Sequence, residues 1–224
     1  MKVTALRFKN HILFAAGAAL FFILAACGGN DSQTGVIKIG IFVPLSGDTT
    51  SYGVGVRRGI ELAYAEWKLK GLTNVKLIYE DSRCEARSAV NAVNKLISVD
   101  KVNVLIGEVC SGGTLAAAPI AEKNRIPLVT PASTSPAISE AGDYIWRTIP
   151  SDALQGAFGA GLVIAKGFKK LAIIYPNEDY GVGFSKVLDK SFKEKGGTVV
   201  ANEAFPRGSV DLRGQLTKIK NAKP

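Results

Sequence analysis

The stretch Val102–Thr114, V-N-V-L-I-G-E-V-C-S-G-G-T, decides how the chain is read. Its first half is a short apolar run of the kind that forms a strand buried on both faces of a parallel sheet. Its second half turns abruptly to small polar residues, and Ser111 is placed to begin a helix. The two glycines after Ser111 leave several backbone N–H groups uncovered at that helix's positive end. Such an end attracts an anion, but the dipole contributes only about 0.3 to 2 kcal/mol. Selectivity therefore falls to side chains such as the Ser111 hydroxyl.

Outward from this stretch, apolar strand-like runs alternate with helical periodicity from Val36 on, which predicts an α/β fold with a parallel sheet covered on both faces. Strands are expected at Ile37–Val43, Val75–Tyr79, Val102–Ile106 and Ile126–Thr130. Between them come a helix over Gly53–Lys70, with the stripe Val56, Ile60, Ala63, Tyr64 and Trp67, and one with Ala86, Ala89, Val90, Val93 and Ile97 on one face. The helix from Ser111 to Asn124 contains Pro119, which predicts a kink or an early end. A further strand falls within Tyr144–Asp152. Helix Ala153–Ala165 and strand Leu171–Pro176 then open a second β/α series, which continues with a helix through Val187, Leu188 and Phe192, the strand Thr198–Phe205 and a helix from Asp211 to Lys220. So few units do not cover a sheet of their own, which predicts a truncated chain with an incomplete second domain and exposed apolar surface.

The first 26 residues read as an export signal: Lys2, Arg7 and Lys9 precede the uncharged apolar run Ile12–Ala26. At about 15 residues this run falls short of the roughly 20 that a spanning helix needs. Its end, L-A-A-C at Leu24–Cys27, resembles the lipobox of bacterial lipoproteins, which implies lipidation of Cys27, with 27–35 as a flexible tether. Gly28 stands where an aspartate would hold such a protein at the inner membrane. A periplasmic or cell-surface location, anchored by lipid alone, is therefore expected.

Without the signal the chain keeps 25 basic and 19 acidic residues, a net charge of +6, with no basic run longer than a pair. That is the pattern of solvated helix faces such as Lys186, Lys190, Lys193 and Lys195, and it offers no nucleic-acid signature. The one histidine, His11, lies in the signal, so no imidazole remains for a metal site, a triad or acid–base work near neutral pH. Cys84 and Cys110 remain after Cys27. Export puts them where thiols pair, and a disulfide closing a loop of about 27 residues would stabilise by roughly 3 to 4 kcal/mol in the chain-entropy model. Two buried free thiols are the alternative.

In open parallel sheets ligands sit beyond the carboxyl ends of the strands, where the strand order reverses. The loops Ser46–Tyr52, Cys110–Thr114 and Ala132–Thr134 all fall on that edge. Taken singly, Ser111 and Thr114 read as helix caps and Ser133 and Thr134 as a turn before Pro136. Their convergence favours a site for a small ligand bearing a carboxylate. A dinucleotide site is the rival, because Gly53–Gly59 reads G-V-G-V-R-R-G, with Asp81 downstream. Its first glycine, however, comes about nine residues after the strand and the spacing is G-x-G-x-x-x-G, so these glycines are expected to serve helix entry and close packing.

The set I-K-I-G-I-F-V-P-L-S-G, S-Y-G, D-S-R-C, G-E-V-C-S-G-G-T, T-P-A-S-T-S-P, R-T-I-P-S-D-A-L-Q-G and Y-P-N-E-D-Y-G covers nearly all of Val36–Pro224 and resembles the periplasmic solute-binding proteins of branched-chain amino acid ABC transporters. The resemblance implies a type I periplasmic binding protein fold: two doubly wound parallel-sheet domains, 36–149 and a partial 150–224, joined by a hinge that begins near Pro150. It implies that Ser111 and the Thr134 N–H hold an α-carboxylate, and that the Thr134 hydroxyl and the Ala132 carbonyl accept from an α-ammonium. Ser133, in the same loop, is counted among the ligand-binding residues. Tyr52, Val109 and Cys110 would line the side-chain region, with Tyr180 closing over it, and Cys84 and Cys110 match a disulfide of the family. Gly112 and Gly113 replace the family's usual Ser or Ala run, which is expected to leave extra room near the carboxylate. The function implied by the resemblance is capture of a small amino acid-like solute by a monomer and delivery to an ABC permease, without catalysis, cofactor or metal. The alternatives are a receptor's ligand-sensing domain of the same fold and a site for an amide or aromatic acid.

Overall fold

Seven parallel strands and six helices alternate along residues 35–224, the part of the chain that the computed structural model describes. The export signal 1–26, Cys27 and nearly all of the tether lie outside the described residues. The strands are β1 (Ile37–Val43), β2 (Val75–Asp81), β3 (Val104–Gly107), β4 (Leu128–Thr130), β5 (Ile145–Arg147), β6 (Lys170–Pro176) and β7 (Thr198–Phe205). The helices are α1 (Thr50–Leu69), α2 (Ala86–Ser98), α3 (Ser111–Asn124), α4 (Asp152–Ala165), α5 (Asp179–Glu194) and α6 (Arg213–Ala222), with a short 3-10 turn at Pro136–Glu140.

The order of the first sheet is β2-β1-β3-β4-β5. Successive side chains on β1 alternate between two cores, as the period of a strand requires. Ile39, Ile41 and Val43 pack with Val56 and Ile60 of α1 on one face. Phe42 packs with Ala89, Val93 and Leu96 of α2, Leu105 of β3 and Ala117 of α3 on the other. Because the chain leaves β1 toward β2 on one side and later adds β3 on the other, the carboxyl ends of β1 and β3 form the reversal point where a crevice opens. The second sheet pairs β6 with β7 and packs against α5 and α6, with α4 laid on α5. α4 meets α5 closely at Gly156, where a Cβ would stand 2.8 Å from the Val187 side chain. Its outer face leaves Leu154, Phe158 and Leu162 exposed. No helix among the described residues is long and apolar enough to cross a membrane.

Three local expectations need correction. α3 continues through Pro119 to Asn124, because Pro119 lies on the exposed face, where water can satisfy the carbonyl left without its N–H donor. The buried face of α2 is Ala89, Ala92, Val93 and Leu96, a phase rotated away from Ala86, Val90 and Ile97. β3 and β4 start two residues later than the apolar runs suggest, since Val102 is buried ahead of its strand and Ile126 only packs at the core's edge.

Candidate functional site

The site is built on Glu108, an acid that immediately succeeds the apolar strand β3. Gly107 delivers the chain there with φ 145°, and a Cβ on it would strike the Phe42 carbonyl at 2.1 Å, so only glycine fits. The fully buried Glu108 carboxylate accepts from the Ser82 hydroxyl at 2.5 Å and from the Cys110 N–H at 2.7 Å. Burial pushes its pKa up, opposed by those bonds and by the charge of Arg207. Its backbone carbonyl accepts from the hydroxyls of Thr130 at 2.6 Å and Ser133 at 2.9 Å. One residue thereby pins the loops after β2, β3 and β4. The only signal for it in the sequence is an isolated acid between an apolar run and a helix start.

The loop after β1 is fixed in a similar way. Asp81 accepts from the Leu45 N–H at 2.8 Å, the Ser46 hydroxyl at 2.5 Å and the Arg83 N–H at 3.0 Å. Burial alone would raise its pKa, but these bonds hold it below the ordinary carboxylate value. Asp81 is thus committed to the loop, which removes it as the acid of a dinucleotide site. Of the three glycines considered for that fingerprint, Gly53 packs against the Pro44 carbonyl, where a Cβ would stand at 1.9 Å, whereas Gly55 and Gly59 face open space. Close packing explains only the first.

A cavity of about 520 Å³ lies over these loops, between the carboxyl ends of the first sheet and the loops of the second. Its floor is the amino end of α3, which no side chain among the described residues caps. Ser111 is not a cap either: its buried hydroxyl accepts from the Ser135 N–H at 3.2 Å, and its own proton has no acceptor among the described residues. The Thr134 hydroxyl donates to Asp152 at 2.8 Å. Tyr52, Val109, Cys110, Ser111, Ala132, Thr134 and Tyr180 all line the cavity. Ser133 does not: it is buried behind the loop, bonded to Thr114 at 2.7 Å and to the Glu108 carbonyl. Its place in a ligand set is therefore corrected to that of a loop support.

Five lining residues escaped the sequence reading as site residues: Ala86, Gln155, Glu178, Asp179 and Arg207. Glu178 and Asp179 lie within the Y-P-N-E-D-Y-G motif, whereas Arg207 comes after β7 in a turn with no ligand-site signature. Arg207 pairs with Glu178 at 3.1 Å and donates to the Cys84 carbonyl at 3.4 Å, joining the two sheets' loops. The Asp179 carboxylate lies over the amino end of α3, 2.9 Å from where a Cβ on Gly112 would stand. The space beside Gly113 is taken by Glu108 at 2.7 Å, so that glycine makes room for a buried protein carboxylate rather than for a larger ligand. The sulfurs of Cys84 and Cys110 are paired, with their Cα atoms 5.4 Å apart. Together with Glu108 they offer ligand atoms within 4.8 Å of one another, but paired sulfurs supply no thiolate for a metal.

The sequence profile of the periplasmic binding proteins matches residues 36–224. The chain belongs to the periplasmic binding protein family. Membership implies a periplasmic location. The chain is 31% identical over 217 residues to the leucine-, isoleucine-, valine-, threonine- and alanine-binding protein of Pseudomonas aeruginosa, covering 94% of this chain and 56% of that relative. Among solved structures it is similar to a leucine binding protein of Thermotoga maritima (34% identity, TM-score 0.78, 84% of this chain and 54% of that one). It is also similar to an ABC transporter solute binding protein of Rhodopseudomonas palustris in complex with 3,4-dihydroxy benzoic acid (26% identity, TM-score 0.74, 84% and 52%). This binding protein thus spans about half the length of the relatives it matches, and its parallel α/β architecture is the type I fold expected from its motifs.

Chemically, the cavity of this periplasmic binding protein has two ends. The amino end of α3 and the Ser111 hydroxyl donate hydrogen bonds, and the Thr134 N–H finds no acceptor among the described residues. Close by, Ala132 and Thr134 line the wall, with Asp152 buried behind the Thr134 hydroxyl. Burial, then the charges of Asp152 and Glu178, raise the pKa of Tyr180, which stays a neutral phenol at the cavity wall.

Proposed function

We propose that this binding protein captures a small amino acid-like solute, a branched-chain amino acid or a relative of one, and delivers it to an ABC permease without chemical change. The observation that carries the reading is an uncapped helix end opening on a cavity of about 520 Å³ shared by two α/β halves. The α-carboxylate would take the α3 amino end, the Ser111 hydroxyl and the Thr134 N–H. The α-ammonium would meet the Thr134 hydroxyl and the Ala132 carbonyl. The apolar part would lie among Tyr52, Val109, Cys110 and Tyr180. Closure of 150–224 onto 36–149 about a hinge near Pro150 would make the form that a permease recognises.

The wider arrangement belongs to the same proposal: signal 1–26, a lipid on Cys27, the tether 27–35, an oxidised Cys84–Cys110 pair and a monomeric, non-enzymatic protein. Calorimetry of the complete mature protein, made without its lipid, against amino acids, amides and aromatic acids tests it. Saturable binding of at least one α-amino acid is expected. Failure of every α-amino acid, or tight binding of aromatic acids alone, would defeat the assignment.

A further inference from the structure

Asp152 opens α4 just past the crossover between the two halves, and it is fully buried. Its Oδ2 accepts the Thr134 hydroxyl proton at 2.8 Å, and its own N–H donates to the Thr134 carbonyl at 2.9 Å. Its Oδ1 has no hydrogen-bond partner among the described residues. Arg147 stands behind the loop, where Nη1 donates to the Ser135 carbonyl at 2.9 Å and to the Thr134 carbonyl at 3.3 Å. Burial raises the Asp152 pKa, while the Thr134 bond and the Arg147 charge favour its ionised form. A hydroxyl has one proton to give and two lone pairs to offer. Once that proton is committed to a carboxylate, the oxygen can only accept from anything else.

The geometry points to Asp152 as a specificity-determining positioning residue that fixes the Thr134 hydroxyl as a pure acceptor and so makes this end of the cavity select a ligand with a positive amino group over a plain carboxylic acid. This rests on the proposed amino acid site and names what discriminates within it. Two further features act in the same direction. The second carboxylate oxygen, Oδ1, has no donor among the described residues, so the Thr134 hydroxyl is the one side-chain donor that the carboxylate holds. The Thr134 carbonyl takes two donors, Arg147 Nη1 and the Asp152 N–H, which fix the backbone that carries the hydroxyl, so the acceptor is preorganised and the ligand need not order it. A ligand that lacks the amino group would leave the Thr134 oxygen desolvated and unpaired, which is how a polar site rejects an analogue.

The test compares L-leucine with isocaproate, the same skeleton without the amino group, by calorimetry on the complete mature protein and on its Asp152→Ala, Thr134→Val and doubly substituted forms. The unchanged protein should prefer leucine. Asp152→Ala should narrow that preference by about tenfold to a hundredfold, the range for one hydrogen bond to a charged group, with isocaproate affinity unchanged. Thr134→Val should narrow it likewise, and the double form should lose no more than the larger single loss, because the two residues act as one unit. Equal weakening of both ligands by Asp152→Ala would overturn the inference in favour of a hinge role. Additive losses in the double form would overturn the route through Thr134. An unchanged protein that takes neither leucine nor any other α-amino acid would overturn the amino acid reading itself, before any variant is compared; where another amino acid binds, that one and its deamino analogue replace leucine and isocaproate.

Discussion

The adjacent glycines at the start of α3 should respond oppositely to the same substitution. At Gly113 an added Cβ would stand 2.7 Å from Glu108 Oε2 and 3.1 Å from its Cγ. Glu108 cannot yield cheaply, because it is fully buried and clamped by Ser82 and the Cys110 N–H. Overpacking costs about 1 to 3 kcal/mol, and giving up one bond of a buried carboxylate costs about 1 to 3 more. Against this, alanine returns about 0.5 to 1 kcal/mol over glycine within a helix. Gly113→Ala should therefore lose about 1 to 5 kcal/mol of stability. At Gly112 the neighbour is Asp179 Oδ2 at 2.9 Å, the far end of a side chain on the cavity wall that can swing away. Gly112→Ala should be neutral or gain up to about 1 kcal/mol. Urea unfolding of the two variants and the unchanged protein reads the contrast in the midpoint at constant slope. If Gly113→Ala proves as stable as Gly112→Ala, Glu108 is not a fixed pin for the loops.

The same geometry predicts other outcomes. Thiol titration of exported protein, denatured without reductant, should find Cys84 and Cys110 unreactive, and replacing both by serine should cost roughly 3 to 4 kcal/mol for a closed loop of this length; two reactive thiols would contradict the pairing. Asp81, held below its ordinary pKa, contributes stability that is present above the ordinary aspartate range and lost as pH falls through the lowered value, so Asp81→Asn should flatten the acid side of the stability curve. Glu108 has the opposite sign: raised by burial, it binds its proton more tightly folded than unfolded, so stability declines as pH rises from the ordinary glutamate range through the raised value. Glu108→Gln should remove that decline. Asp179→Asn removes a carboxylate that competes for the α3 amino end and should tighten carboxylate ligands by about twofold to fivefold, read by calorimetry.

The alternation of apolar runs with helical stripes carried the parallel α/β reading, because strand and helix periods differ plainly in Ile37–Val43 and in the helix after it. The site loops were legible for the same reason: an open parallel sheet places functional residues after its strands, and seven of the expected residues line the cavity. Ser133 was misjudged because adjacent residues in an extended loop point in opposite directions, and its sequence cannot tell which of Ser133 and Thr134 turns inward. Glu108, Asp152 and Arg207 were missed for a related reason. Each acts through tertiary partners distant in the chain, such as Ser82, Thr134 and Glu178, and no local spacing encodes those contacts. The double glycine read as room for a ligand because the carboxylate that fills the space beside Gly113 belongs to the preceding strand's end.

The central claim, that the amino end of α3 seats the carboxylate of an amino acid, is tested most directly by calorimetry of the complete mature protein with L-leucine and with leucinol, which keeps the amino group and side chain but has a hydroxymethyl group in place of the carboxylate. Leucine should bind saturably and leucinol at least about tenfold more weakly, the least expected for losing hydrogen bonds to a charged group. Equal affinity for the two would place the ligand's charge away from Ser111 and contradict the account.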